Sequence, residues 1–219
     1  MNWFKNLKKS LKNASRPRRK ANTTAFFNYL RQRFPNGRLL LSQVEGMTDI
    51  LEACLGLPNE HTAYVLATAY HETGARMQPV REGFAKSDAS ARRAVARLYK
   101  RGRISRNYAL PLYKGNSFYG RGYVQLTHFE NYRKTGKALG VALELTPDLM
   151  LDSKFSAKAM VWGMRTGAYR NRSLSGTITG PNPDQWRLAR NIINGDVRKN
   201  GRKIGNYAAF FYEALEKMK

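Results

Sequence analysis

Residues 63–82 read AYVLATAYHETGARMQPVRE, and the rest of the chain is interpreted outward from them. From Thr62 to Thr73 the stretch is rich in helix-forming Ala and Leu and nearly free of polar side chains until its end. A helix apolar on most of its faces is buried. Asn59 is placed to cap its start and Gly74 to end it. Polar residues arrive at the exit, as His71, Glu72 and Thr73, and ten residues past Glu72, beyond Pro79, stands a second carboxylate, Glu82. One acid at the end of a buried helix and one on the following loop can form a two-carboxylate cleft. Glycosidic hydrolysis uses such a pair, one protonated to release the leaving oxygen and one ionised to activate water. The spacing alone also admits a surface acid at position 72 and a Glu82 paired with Arg81 or Arg76.

Two further stretches bear on that choice. Residues 119–127 read YGRGYVQLT, followed by Asn131-Tyr132, and residues 191–195 read NIING. With YHETGARMQP and Glu82, these resemble, in order, three motifs of the family 19 glycoside hydrolases, in the chitinase-like endolysin branch, over about 60–212. The resemblance implies a mainly α, two-lobed lysozyme-like fold with at most a small β-hairpin near the cleft. It also implies inverting hydrolysis of a β-1,4-linked N-acetylated glycan.

Glu72 reads as the general acid, expected to keep its proton in apolar surroundings at a helix C-terminus. Glu82, on a wetter loop beside Arg81, reads as the ionised general base. Thr127 and Asn131 match the family's water-positioning pair, and their spacing of four puts both on one helix face. Thr127 also has capping-box spacing to Glu130. Asn194 matches a substrate-binding Asn, and Asn is also a common left-handed helix end. Tyr123 and Gln125 are expected on the cleft wall, and His71 is expected to orient the Glu72 region. Where family chitinases carry an Arg after NIING, the local counterpart is Lys203, a point charge in place of a planar fork.

The 219 residues suit one domain with a core, and the net charge of +24 predicts attraction to polyanions. A single cysteine, Cys54, excludes an intramolecular disulfide and reads as a buried thiol. His61, His71 and His128 have no ligand spacing, so neither metal nor cofactor is expected.

Residues 1–20 stand apart from a catalytic domain at 21–219. They carry Lys5, Lys8, Lys9, Lys12, Arg16, Arg18, Arg19 and Lys20 and no acid, with Trp3, Phe4, Leu7 and Leu11 at helical spacing. That pattern fits a basic amphipathic anchor for an anionic outer membrane or lipopolysaccharide, and equally a solvated tail. It lacks the continuous apolar core of about 7–15 residues that a signal peptide needs. The remaining segments read as helices starting near Thr23, Ser42, Asp88, Thr127, Asp152, Asp184 and Arg202. A small hairpin is expected within 107–126 and an exposed loop at 170–183.

The reading that results is a monomeric endolysin that cuts peptidoglycan, of phage or prophage origin. It would be made in a bacterial cytoplasm and released to the cell wall at lysis, with no nucleic-acid partner. Two other readings stand beside it: a chitinase of the same fold, and a nucleic-acid- or envelope-binding protein that kept the fold but lost catalysis.

Overall fold

The apolar run at 63–69 forms the centre of the molecule. In the computed structural model, which describes residues 23–34 and 37–218, it lies in a helix spanning Asn59–Glu72 whose residues 61–69 are all buried. Around it the described residues form seven other α-helices. In chain order these are α1 (Thr23–Arg33), α2 (Leu41–Ala53), the central helix α3, α4 (Asp88–Lys100), α5 (Phe129–Leu139), α6 (Ser153–Thr166), α7 (Pro183–Leu188) and α8 (Arg202–Glu216). Helix α3 packs most extensively against α8, which turns Ile204, Ala208, Phe211 and Leu215 inward at helical spacing. Phe26 and Leu30 of α1, Met47 and Ile50 of α2, Met160 and Met164 of α6 and Trp186 of α7 complete this core. Each large side chain buried in this way contributes about 1.5–3 kcal/mol.

A second, smaller lobe has its own apolar centres. One joins Phe118, Leu126, Tyr132, Leu143 and Met150, and another joins Ala91 and Val95 of α4 to Ala109 and Tyr119. The fold is thus mainly helical and two-lobed, as expected. Among the described residues its sheet is a single antiparallel pair, β1 (Val80–Arg81) with β2 (Arg121–Gly122), in the register Val80 to Gly122 and Arg81 to Arg121. The hairpin expected within 107–126 is present as a tight antiparallel bridge between Arg121 and Leu126, and β2 also pairs outside that range with the strand leading into Glu82. Within 107–126 the chain makes a tight turn bridged from Tyr113 to Asn116, with Lys114 and Gly115 both left-handed.

Several caps differ from expectation. Asn59 lies inside α3 and donates to Glu216, while Pro58 takes the cap position. Helix α2 begins after Leu40, whose N–H is held by Gln43, and Ser42 offers its carbonyl to Gln78. Ser87 caps α4 through Ser90, which leaves Asp88 free for ion pairs. Asp152 caps α6 as expected, accepting from the Phe155 N–H at 2.8 Å. The expected helix at 184–193 divides into α7 and a 3-10 turn, Ala189–Ile192. The 170–183 segment is pinned by Leu174 and Ile178, each 1% exposed.

Cys54 is buried, and that burial pushes its thiol up to about 12. Among the described residues no helix is long and apolar enough to cross a membrane. The basic segment 1–20 lies outside the described residues.

Candidate active site

Glu72 is the last residue of α3. The helix stops there because Gly74 turns left-handed (φ 57°) and the Thr73 hydroxyl bonds back to the Ala69 carbonyl at 2.7 Å. The loop that follows is clamped by α2. Gln43 donates to the Ala75 carbonyl and Gln78 reaches back to that of Ser42. At Gly46 the helix approaches so closely that a Cβ would lie 1.7 Å from the Met77 carbonyl oxygen, so only glycine fits.

The apolar surroundings expected for Glu72 are replaced by a cation. Arg190, 2% exposed in the turn after α7, donates through Nη1 to Glu72 Oε1. Its Nε donates to Asp196 Oδ1 at 2.5 Å, and Asn200 donates to the other oxygen of Asp196 at 2.5 Å. Burial alone would raise the Asp196 carboxyl, but the bonds from Arg190 and Asn200 outweigh it and hold Asp196 below its ordinary value. His71 adjoins this group. Burial lowers its pKa, Arg190 and Lys203 add to that, and Glu72 and Asp196 oppose it, so the ring is held towards the neutral form. Lys203 is exposed, with Nζ 6.0 Å from the centre of the Tyr207 ring. The guanidinium at Glu72 therefore comes from Arg190 and not from position 203.

Glu82 follows β1 directly, and its N–H donates to the Gly120 carbonyl at 2.7 Å. Its Oε2 accepts from the Gly120 N–H at 3.0 Å, and the Tyr108 hydroxyl donates to the same carboxylate. A Cβ at position 120 would stand 2.6 Å from that oxygen, which is what the second glycine-rich motif spares. The wet, Arg-flanked loop expected here is not found. Glu82 is half-buried, and Arg81 turns away to Asp148 at 2.9 Å. Burial raises the Glu82 carboxyl, with the Gly120 and Tyr108 bonds pulling the other way and losing.

Thr127 does not cap α5. The cap position belongs to His128, and the Thr127 hydroxyl donates to the Gln125 carbonyl at 2.7 Å. Both lone pairs of that oxygen stay available to accept. Asn131 Nδ2 donates to the Thr127 carbonyl at 2.8 Å, and Gln125 Nε2 donates to the carbonyls of Val80 and Gly122. Gln125 (φ 53°) and His128 (φ 73°) are left-handed on either side of Thr127, a conformation that costs of order 1–3 kcal/mol and is concentrated at functional sites. Tyr123 is not a wall of the cleft. It is fully buried, with its hydroxyl on the Met77 carbonyl at 3.1 Å. Asn194 is exposed and does not take the left-handed form. Asp88, a conceivable alternative base, is committed to Arg92 at 2.6 Å, Arg121 at 3.3 Å and the Tyr119 hydroxyl at 2.7 Å.

Spacing reasoning missed Arg190, Asp196 and Tyr108. Arg190 did carry a signal, since a charge inside the apolar run LARNII must find a buried partner.

Residues 58–202 match the glycoside hydrolase family 19 model described as chitinase class I, which is well over half of the 219 residues. An acidic 27 kDa endochitinase of Solanum lycopersicum is 40% identical over 99 residues, covering 38% of this chain and 38% of that protein. An inactive chitinase-like protein 1 of Hevea brasiliensis is 39% identical over 79 residues, covering 36% of this chain and 24% of that one. The matched stretches span between a quarter and two-fifths of these relatives. The crystal structure of chitinase C from Streptomyces griseus HUT6037 superposes with a TM-score of 0.51 at 26% identity, covering 88% of this chain and 75% of that one. The chain belongs to glycoside hydrolase family 19, the chitinase class I family.

Proposed function

We propose that the protein is an inverting glycosidase that cuts β-1,4 bonds of bacterial peptidoglycan and acts as an endolysin. The observation that carries this reading is the unequal setting of two carboxylates, Glu72 on a buried guanidinium and Glu82 in a half-buried niche of neutral donors. Glu72, which shares Arg190 with Asp196, is the acid of the pair and delivers a proton to the leaving oxygen. Glu82, ionised, draws a proton from a water that attacks the opposite face of the sugar. The Thr127 hydroxyl has spent its hydrogen on Gln125, so it receives the water's second hydrogen and aims its lone pair. His71, held towards the neutral form, and Lys203 border the Glu72 side, with Gln125, Asn131 and exposed Asn194 as sugar contacts.

The choice of peptidoglycan rests on charge. A net +24 favours a polymer carrying acidic stem peptides and anionic wall polymers over neutral chitin. The second reading, a chitinase, is favoured by relatives named endochitinases. Dye release from purified cell walls, run beside hydrolysis of chitin oligomers, decides between them. Cleavage of chitin with intact walls left untouched would overturn the endolysin reading, and inertness on both would favour a binding protein.

The segment 1–20 is proposed to seek anionic envelopes. Deleting it should lower binding to anionic vesicles at low salt and leave cleavage of soluble fragments nearly unchanged. Salt should erase the difference, because the Debye length falls from about 10 Å at 0.1 M to about 3 Å at 1 M. Loss of soluble-fragment cleavage on deletion would refute it.

A further inference from the structure

Residues 89–115 hold eight Lys or Arg and no acid. The stretch runs through the C-terminal half of α4, the 101–112 loop and the turn at 113–116. Lys100, Arg101, Arg103, Arg106 and Lys114 on it are exposed. Exposed apolar side chains lie among these charges. Leu110 is 62% exposed, Leu112 56%, Tyr99 49% and Tyr113 38%. Tyr99, Leu110 and Leu112 are neighbours in space, since with Arg106, Pro111 and Phe129 they line one open cavity of about 440 Å³, and the Tyr113 ring lies 5.3 Å from that of Phe129. The turn that presents Tyr113 and Lys114 is fixed, with Leu112 and Asn116 bonded across it and Arg92 reaching the Gly115 carbonyl. The bordering acids do not cancel the field. Glu130 is paired with Arg133 at 2.9 Å, and Glu144 is half-buried.

We propose that this face is a docking surface for an anionic lipid bilayer, with Leu110 and Leu112 entering the headgroup boundary and the surrounding Lys and Arg meeting lipid phosphates. Basic residues around exposed aliphatic and aromatic side chains are the composition that holds a protein at such an interface. A nucleic acid would satisfy the charges and the tyrosines but would leave both leucines in water, because strands are gripped through aromatic stacking and phosphate contacts. The charge and the leucines together therefore select lipid. The same loop carries Tyr108, which donates to Glu82, so a docked molecule would hold its cleft beside the bilayer surface. The inference is independent of which glycan is cut.

The test uses the full chain and reads this face alone. An environment-sensitive fluorophore is attached to the Leu112→Cys variant; native Cys54, 3% exposed, stays unlabelled. Phosphatidylcholine vesicles containing phosphatidylglycerol should shift its emission to the blue, while pure phosphatidylcholine and duplex DNA should not. In the unlabelled chain, Leu110→Asn with Leu112→Asn should lower partitioning into the anionic vesicles by about tenfold, with melting unchanged. The proposal is overturned if the protein sediments with anionic vesicles while the fluorophore stays in water, since another segment then does the binding. A shift produced by DNA and not by vesicles overturns it too, as does undiminished partitioning of the double variant.

Discussion

Arg190 and Glu72 stand 118 positions apart in sequence and are joined by a buried charge-assisted hydrogen bond. Because the same guanidinium also holds Asp196, the acid is positioned by a residue that needs two carboxylates to be satisfied. Arg190→Lys keeps the charge but loses the fork, and an ammonium cannot serve both sides in that geometry. Removing one partner of a buried ion pair outright costs about 3–5 kcal/mol, so the retained charge should make Lys milder than that. We expect a lowered melting temperature and a fall in kcat well beyond any change in KM for a soluble oligosaccharide. A kcat at the wild-type level in the folded variant would show that Arg190 only supports the fold.

Glu72→Gln should leave the fold in place, since the amide oxygen can still accept from Arg190 while Arg190 keeps Asp196. Turnover should fall by about 10²–10⁴-fold, the usual worth of a positioned proton donor. Steady-state hydrolysis beside a melting curve checks this. More than half of wild-type activity with unchanged melting would remove Glu72 from the mechanism.

Burial raises the Glu82 carboxyl, and the Tyr108 hydroxyl is one of two donors opposing that rise. A base works only when ionised, so activity is lost as the pH drops through its pKa. Tyr108→Phe deletes a bond made to the ionised form, which lets the pKa rise further. The acid limb of kcat/KM should therefore move to higher pH, with the neutral-pH plateau less affected. An unmoved limb, or one displaced to lower pH, would contradict the proposed role of Glu82.

Thr127→Val tests a hydroxyl that donates to the Gln125 carbonyl. Its loss should cost about 0.5–1.5 kcal/mol of stability. The turnover defect should exceed this and persist on cooling, because the attacking water has lost an acceptor. A rate that recovers in step with the folded fraction would leave Thr127 a structural role only.

The large features were readable in the residues because they follow from local pattern. Unbroken burial of 61–69 and the inward face of α8 both come from apolar periodicity. Caps were read less well, since several polar residues crowd each helix start and tertiary partners choose among them. Asp88 was suited to capping α4, yet a buried Arg121 makes better use of its charge, and Ser87 takes the end. Thr127 had capping-box spacing, but the left-handed His128 swings the chain so that its hydroxyl meets Gln125 instead. Tyr123 belonged to the right motif, but it lies in the turn after β2, where its ring is fully buried and its hydroxyl is spent on the Met77 carbonyl. Arg190 and Tyr108 reach their carboxylates through long side chains across the fold, and no spacing rule encodes such a reach.

The two-residue pairing of β1 with β2 has a consequence for which length changes the chain tolerates. Glu82 takes its place from the register of Val80 on Gly122 and Arg81 on Arg121. Side chains alternate along a strand, so a slip of one residue would carry the carboxylate about 3.3 Å along and turn it to the opposite face. One residue gained or lost between Gly120 and Gln125 is therefore equivalent to deleting the base, although Glu82 itself is untouched. At the exposed tip around Gly115 the same change leaves the register alone. Relatives of this chain should accordingly differ freely in length before Gly120 and hardly at all for the next five residues.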